Sequence, residues 1–199
     1  MTASVVLASA SPIRKRLLEA AGVILDVRPA MIDEETIRQS LQAENVNSME
    51  MATTLAELKA RRISRSSDQH LTIGCDQILE FEGEICSKSE RHEDARLLLR
   101  RLRGKSHSLY AAAVICEQGK PVWRSVSSAR VTMRSYSDAY LESYLRRGGE
   151  NLRGSVGCYH IEEEGIRLIA ELSGDIYAVY GLPMIALLGY LIDRGILDS

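Results

Sequence analysis

The sequence predicts an α/β fold on a mixed sheet, and three observations carry that expectation. Short apolar runs and amphipathic helical runs alternate along the whole chain. Two long β-forming runs, 108–116 and 122–133, are separated only by the turn Gly119-Lys120-Pro121. No repeat, low-complexity tract or long linker breaks the 199 residues, so residues 1–199 are expected to form a single domain. With 45% hydrophobic and 26% charged residues, such a chain can bury a core without disulfide or metal staples.

Each element has a local reason. Residues 5–8 are short and apolar, as in a buried strand. Residues 12–21 form a helix, with Ser11 as N-cap, Pro12 in the first helical position and Gly22 as the stop. Residues 25–29 are extended. Residues 48–65 carry helical periodicity through Met51, Leu55 and Leu58. Residues 71–75 form a strand that ends on Asp76, and 78–87 a hairpin turning near Gly83. Residues 92–102 are a helix with Ala95, Leu98, Leu99 and Leu102 on its apolar face. After the two long β runs come a helix over 137–147, a break at Gly148-Gly149, a strand over 166–172 and a last helix over 183–194.

Composition excludes several classes. A net charge of −2 gives no global field for nucleic acid or an anionic membrane, so an anionic ligand needs a local cluster of Lys and Arg. The four cysteines form no C-x-x-C pair, and a disulfide framework is not expected. The default compartment is then the reducing cytoplasm. The first apolar stretch is too short for a signal peptide, and basic residues follow it instead of preceding it. The most apolar segment, 177–192, is interrupted by Gly181, Pro183 and Gly189 and falls short of a bilayer span. No nucleophile elbow is present, and His70, His92, His107 and His160 form no constellation.

Several segments could carry chemistry. Ala8-Ser9-Ala10-Ser11-Pro12-Ile13-Arg14-Lys15-Arg16 is a strand end, a small-residue loop and a helix start. Free N–H groups there suit a phosphate, and the serines can donate hydroxyls to it. Its first turn holds Arg14, Lys15 and Arg16, where acids are normally favoured. A capped helix with a solvated basic face fits the same residues. Asp76, at the expected strand end in Gly74-Cys75-Asp76-Gln77, stands where α/β folds place ligands and metals, or simply makes a turn. Ile32-Asp33-Glu34-Glu35 could offer a carboxylate to magnesium, but alone it reads as a helix start with acids in its first turn. Lys59 and Lys88, each taken alone, read as surface lysines. Arg96, Arg100, Arg101 and Arg103 read as a solvated stripe, with no aromatic residues interleaved for nucleic acid.

Taken in order, S-x-S-P-x-R, D-E-E, L-A-x-x-K-A, D, K, R-L-x-G-x-x-H, G-x-Y-x-I-E and G-L-P resemble the Maf-like proteins. These are nucleoside triphosphate pyrophosphatases first linked to septum formation. The resemblance runs from Leu7 to about Leu191, and Leu7-Ala8-Ser9-Ala10-Ser11-Pro12 is its most specific block. It implies a mixed-sheet fold of the Maf and inosine triphosphatase kind. Two lobes would surround a deep nucleotide-binding cleft, often in a homodimer. Asp76 would be catalytic, as base or metal ligand, with Lys59 and Lys88 beside it. Ser9, Ser11, Arg14 and Gln77 would bind substrate. Glu34 and Asp76 would hold a divalent cation, magnesium or alternatively manganese. Water would attack the α-phosphorus and expel pyrophosphate.

Ile13 stands where many members have Arg, Gln77 where many have Thr, and Glu162 where many have Gln. Gly154, Ser155 and Val156 replace the usual Asp-Lys approach to Gly157. These departures resemble the subgroup that prefers 7-methyl-GTP over dTTP and UTP, with Glu162 reading the base. A dTTP or UTP pyrophosphatase, or a non-enzymatic nucleotide-binding regulator of cell division, are the alternatives.

Overall fold

A computed structural model describes residues 5–65, 71–89 and 91–198; His70 lies outside the described residues. The elements run β1 (Val5–Leu7), α1 (Pro12–Ala20), β2 (Leu25–Val27), α2 (Glu34–Ala43), α3 (Ser48–Ser64), β3 (Leu71–Phe81) and β4 (Glu84–Cys86). They continue with α4 (His92–Leu102), β5 (Ser106–Glu117), β6 (Lys120–Met133), α5 (Asp138–Gly148), β7 (Ile169–Gly174), α6 (Ile176–Tyr180) and α7 (Met184–Asp193). Seven strands form one mixed sheet in the order β2-β1-β3-β5-β6-β7, with β4 also on β3. Helices flank the sheet, so the α/β class and its mixed sheet hold.

The sheet is mixed because β1 runs parallel to both β2 and β3, while β5, β6 and β7 follow antiparallel. β3 organises it. β5 covers one edge of β3 continuously from Thr72 to Glu80. The other edge is shared: β1 pairs with Leu71–Ile73, and β4 with Leu79–Phe81. Between them, residues 74–78 have no strand beside them on that edge. This gap places Asp76.

The strand expected over residues 71–75 therefore does not stop at Asp76. It continues to Phe81, because Ile78, Leu79 and Phe81 are buried and extend its apolar pattern. The carboxyl end that matters belongs to β1, whose Leu7 pairs with Ile73, three residues before Asp76.

Other boundaries differ for local reasons. The β5–β6 turn is Gln118-Gly119, both at positive φ, which suits a two-residue hairpin. Pro121 already lies within β6, opposite Cys116 beside a register shift, where β6 has no partner on its other side. The strand expected over 166–172 is a 3-10 turn over 164–168 followed by β7. In α3, Leu58 is 37% exposed, whereas Ala52, Ala56, Lys59 and Ala60 are buried. Small residues let α3 lie tightly on β3: a Cβ on Gly74 would stand 2.1 Å from the Ala56 carbonyl oxygen. α6 is only five residues long, too short for the sequence to show a helical period.

The core has one large body under α4, α5 and the 152–169 segment. Three further bodies lie under α1 with α7, under α3, and, smallest, at Ala111, Ala129 and Ala178 where α6 meets β5 and β6.

Candidate active site

The gap in the β3 edge opens into a cavity of about 1160 Å³. Strand alternation sends Asp76 to the face covered by α3, with Gly74 and Ile78. Cys75 and Gln77 go to the other face, toward the body containing α1 and toward α6.

Lys59, which reads as a surface lysine when its helix is taken alone, is buried where the resemblance implies a catalytic residue. It is not a surface lysine: it is 7% exposed, and Asp76 is 4% exposed. Its Nζ lies 2.6 Å from Asp76 Oδ1 and 2.9 Å from Glu34 Oε1. Burial works against the Glu34 carboxylate, but Lys59 outweighs it, with help from Lys88 and Arg38, and its pKa falls below the ordinary glutamate range. Asp76 Oδ2 is fully buried and, among the described residues, has no partner.

α2 begins at Glu34 because Asp33 caps it, accepting from the Thr36 backbone N–H at 3.1 Å and its hydroxyl at 2.8 Å. Glu34 therefore sits in a helical first turn as expected and still faces Lys59.

The loop after β1 meets the same gap. Ala8 N–H donates to the Ile73 carbonyl at 2.8 Å, so the loop leaves along the β3 edge. Ser11 occupies the N-cap position of α1, but its hydroxyl makes no capping bond; its own N–H donates to Ser9 Oγ at 3.3 Å. Arg14 is fixed in place. Its Nη1 donates to Ser9 Oγ at 3.1 Å and to the Cys75 carbonyl at 3.0 Å, bridging loop and strand. The Arg14 guanidinium also lies against Gly181, where a Cβ would stand 2.7 Å from Nη2.

Lys88 lies just beyond β4. It keeps exposed surface, yet lost water contacts push its ammonium below the ordinary lysine range; Glu34 opposes that shift, while Arg14 and Lys59 add to it. Gln77 lines the cavity too, but its amide donor is engaged by the Ala178 and Val179 carbonyls at 2.6 and 3.0 Å. Only its carbonyl end remains for a ligand.

Glu162 also lines the cavity, with its side chain 17% exposed. His160 Nδ1 lies 3.5 Å from Glu162 Oε1, and its Nε2 3.1 Å from the Asn151 carbonyl. Buried His107 meets Tyr159 Oη at 2.6 Å through Nε2. Two of the four histidines thus touch the cavity loop, which no sequence spacing indicated.

The structure therefore brings the nine expected residues to one cavity: Ser9, Ser11 and Arg14 at the loop, Glu34, Lys59 and Asp76 in a bonded chain, Gln77, Lys88 and Glu162 around them. Cys75 is no candidate nucleophile, because burial pushes its thiol up to about 11. Among the described residues no cluster of three acidic, His or Cys side chains is set for a metal. The four cysteines are free, and no described helix is long and apolar enough to cross a membrane. Sequence reasoning missed Arg38, a buried arginine of α2 on this cavity. Its signal was the i, i+4 spacing from Glu34.

Comparison with known proteins points to one family. A family model described as Maf-like protein matches residues 4–194. The chain is 44% identical over 199 residues to a nucleoside triphosphate pyrophosphatase of Ruegeria sp. (strain TM1040), covering 100% of both chains. It is 45% identical over 195 residues to a protein of the same name from Roseobacter denitrificans, covering 98% of each. It is 39% identical over 194 residues to a 7-methyl-GTP pyrophosphatase of Rhizobium meliloti, again covering 98% of each.

Proposed function

The chain belongs to the Maf-like proteins, and from that premise we propose that it hydrolyses a nucleoside triphosphate to the monophosphate and pyrophosphate. The observation that carries the reading is the buried Asp76 carboxylate at the edge gap. Lys59 holds its Oδ1 at 2.6 Å and leaves Oδ2 open. In this reading a water oxygen bonds to the α-phosphorus. The bond to the bridging oxygen breaks, and its electron pair leaves with pyrophosphate. Asp76 Oδ2 either orients the water and takes its proton or holds a metal ion beside it. Lys59 fixes the carboxylate, while Arg14 and Lys88 offset charge on the phosphates. Ser9 and Ser11 offer hydroxyl and backbone donors at the helix start.

Two carboxylates, Glu34 and Asp76, are what the cavity offers magnesium, with manganese as the alternative, and Lys59 occupies one oxygen of each. Glu34 and Asp76 would hold the ion through carboxylate oxygens, and magnesium is normally bound by one or two carboxylates plus substrate phosphates. When bound, it would supply positive charge against that on the phosphates.

For the base we propose a guanine-type triphosphate, 7-methyl-GTP first. A carboxylate accepts from both N1–H and the 2-amino group of guanine, whereas uracil and thymine place acceptors on either side of one donor. Methylation at N7 makes the base cationic and adds attraction to Glu162. The cavity position of Glu162 supports this, as does the 7-methyl-GTP name carried by the Rhizobium relative. Removal of modified nucleotides from the precursor pool is the matching role.

Pyrophosphate release should be measured with magnesium across 7-methyl-GTP, GTP, dTTP and UTP, for the wild type and Glu162→Gln. The wild type should favour 7-methyl-GTP, and the substitution should shift the ranking toward UTP and dTTP. Discrimination by a mismatched polar group can reach roughly 10⁴-fold. A wild-type preference for dTTP or UTP, or an unchanged ranking, removes Glu162 as selector. Nucleotide binding without any pyrophosphate release would favour the non-enzymatic regulator.

A further inference from the structure

α2 carries a buried guanidinium that the chemistry above does not use. Arg38 lies one turn after Glu34, on the same side of the helix. It is 7% exposed and lines the cavity. Its Nη1 donates to Glu35 Oε2 at 2.7 Å, but its Nε is fully buried and, among the described residues, has no partner. A guanidinium presents five N–H donors in a planar fork. Burying one of them without an acceptor is costly, and such groups persist where a ligand brings the acceptor. Phosphate oxygens match the fork two at a time.

The neighbours of each charge show which end of a nucleotide Arg38 would meet. Glu162 and Arg16 act on Tyr180. Arg38 instead acts on Glu34, together with Lys59 and Lys88. A base at Glu162 and an α-phosphorus at Asp76 direct the terminal phosphates toward Glu34, Lys88 and Arg38. Glu35 also accepts from Ser87 Oγ at 3.4 Å, and so ties Arg38 to the segment that carries Lys88.

We propose that Arg38 binds the β- and γ-phosphates, the half that leaves as pyrophosphate, and that it makes the site choose triphosphates over diphosphates. This rests on the pyrophosphatase reading.

Two measurements separate the two ideas. Binding of inorganic pyrophosphate with magnesium is followed by calorimetry, without turnover. In parallel, kcat/KM is measured for the preferred triphosphate and its diphosphate. Arg38→Gln should weaken pyrophosphate binding and raise the triphosphate KM by about ten- to a hundredfold, the worth of a charge-assisted hydrogen bond. It should also remove most of the preference over the diphosphate. Arg38→Lys should restore part of the affinity, and it keeps the charge if Arg38→Gln fails to fold. Glu35→Gln should leave pyrophosphate affinity within about threefold, since it removes only the resting partner. Unchanged pyrophosphate affinity in folded Arg38→Gln or Arg38→Lys overturns the proposal. So does an equal loss in Glu35→Gln, which would make Arg38 a support for α2. A wild type that binds pyrophosphate but hydrolyses no triphosphate would sink the pyrophosphatase reading while the Arg38 titration still stood.

Discussion

Lys59 and Asp76 depend on each other. A buried ammonium without a counter-charge, or a buried carboxylate without a cation, carries a penalty of several kcal/mol. Here Lys59 meets two carboxylates, so the triad keeps one net negative charge and a buried open oxygen, Asp76 Oδ2. Asp76→Asn should therefore fold. The side chain keeps its shape, and Lys59 retains Glu34 at 2.9 Å. Turnover should fall by about 10²- to 10⁴-fold, the usual worth of general-base help. Pyrophosphate release with magnesium, alongside a melting curve, is the check. More than a tenth of wild-type activity in the folded variant would displace Asp76 from the chemistry. Lys59 shows what the sequence withholds at this scale. A lysine among leucines and alanines of a helix reads as solvated; only the position of Glu34 and Asp76 in space makes burial tolerable.

The elements were more legible than their pairings. α4 was readable end to end from its apolar face, and α1 from its Pro12 start, because both signals are local. The sequence ends β3 at Asp76 because a charged residue inside a strand reads as its end, whereas the strand runs to Phe81. The strand continues because β5 pairs with it throughout, a contact between segments far apart in sequence. The site's position in the β1–β4 gap was invisible for the same reason, although its residues were recognisable as ordered motif blocks. Gly74 belongs to this scale, since it sets how closely α3 lies on β3. A Cβ there would stand 2.1 Å from the Ala56 carbonyl and 2.6 Å from the Ala60 nitrogen. Both are helix backbone, so α3 itself must move. Gly74→Ala should cost at least about 2 kcal/mol, at the upper end of overpacking effects. It should also lower activity by shifting Lys59 away from Asp76. Urea unfolding with a parallel assay tests both. A variant of wild-type stability would mean that α3 is not anchored at this contact.

At the scale of the whole molecule, His107 ties the central strand β5 to the cavity loop. Its ring lies in β5, and Nε2 reaches Tyr159 Oη at 2.6 Å on the loop that carries Glu162. Burial pushes the imidazole down from 6.5 to about 4, and Nδ1 has no partner among the described residues. A proton on this ring would bury a charge with an N–H unsatisfied. The folded chain therefore binds that proton less readily than the unfolded chain. Between pH 6.5 and pH 4 the unfolded state holds a proton that the folded state lacks, so stability falls as pH drops through this window. Above pH 6.5 the group contributes no slope, and below about pH 4 both states are protonated. A shift from 6.5 to about 4 corresponds to on the order of 3 kcal/mol over the window. Paired carboxylates titrate nearby, so the comparison must be with a variant. His107→Gln keeps a polar group for Tyr159 and removes the titration. Urea unfolding at pH 7.5 and 4.5 should show wild type losing about 2–3 kcal/mol more than His107→Gln across that interval. Parallel pH dependence in the two proteins would mean that the ring is not held neutral. Because Tyr159 precedes Glu162 by three residues, the acid-weakened wild type should also lose order first in the cavity loop. Hydrogen exchange at pH 5 should open residues 155–162 before β5.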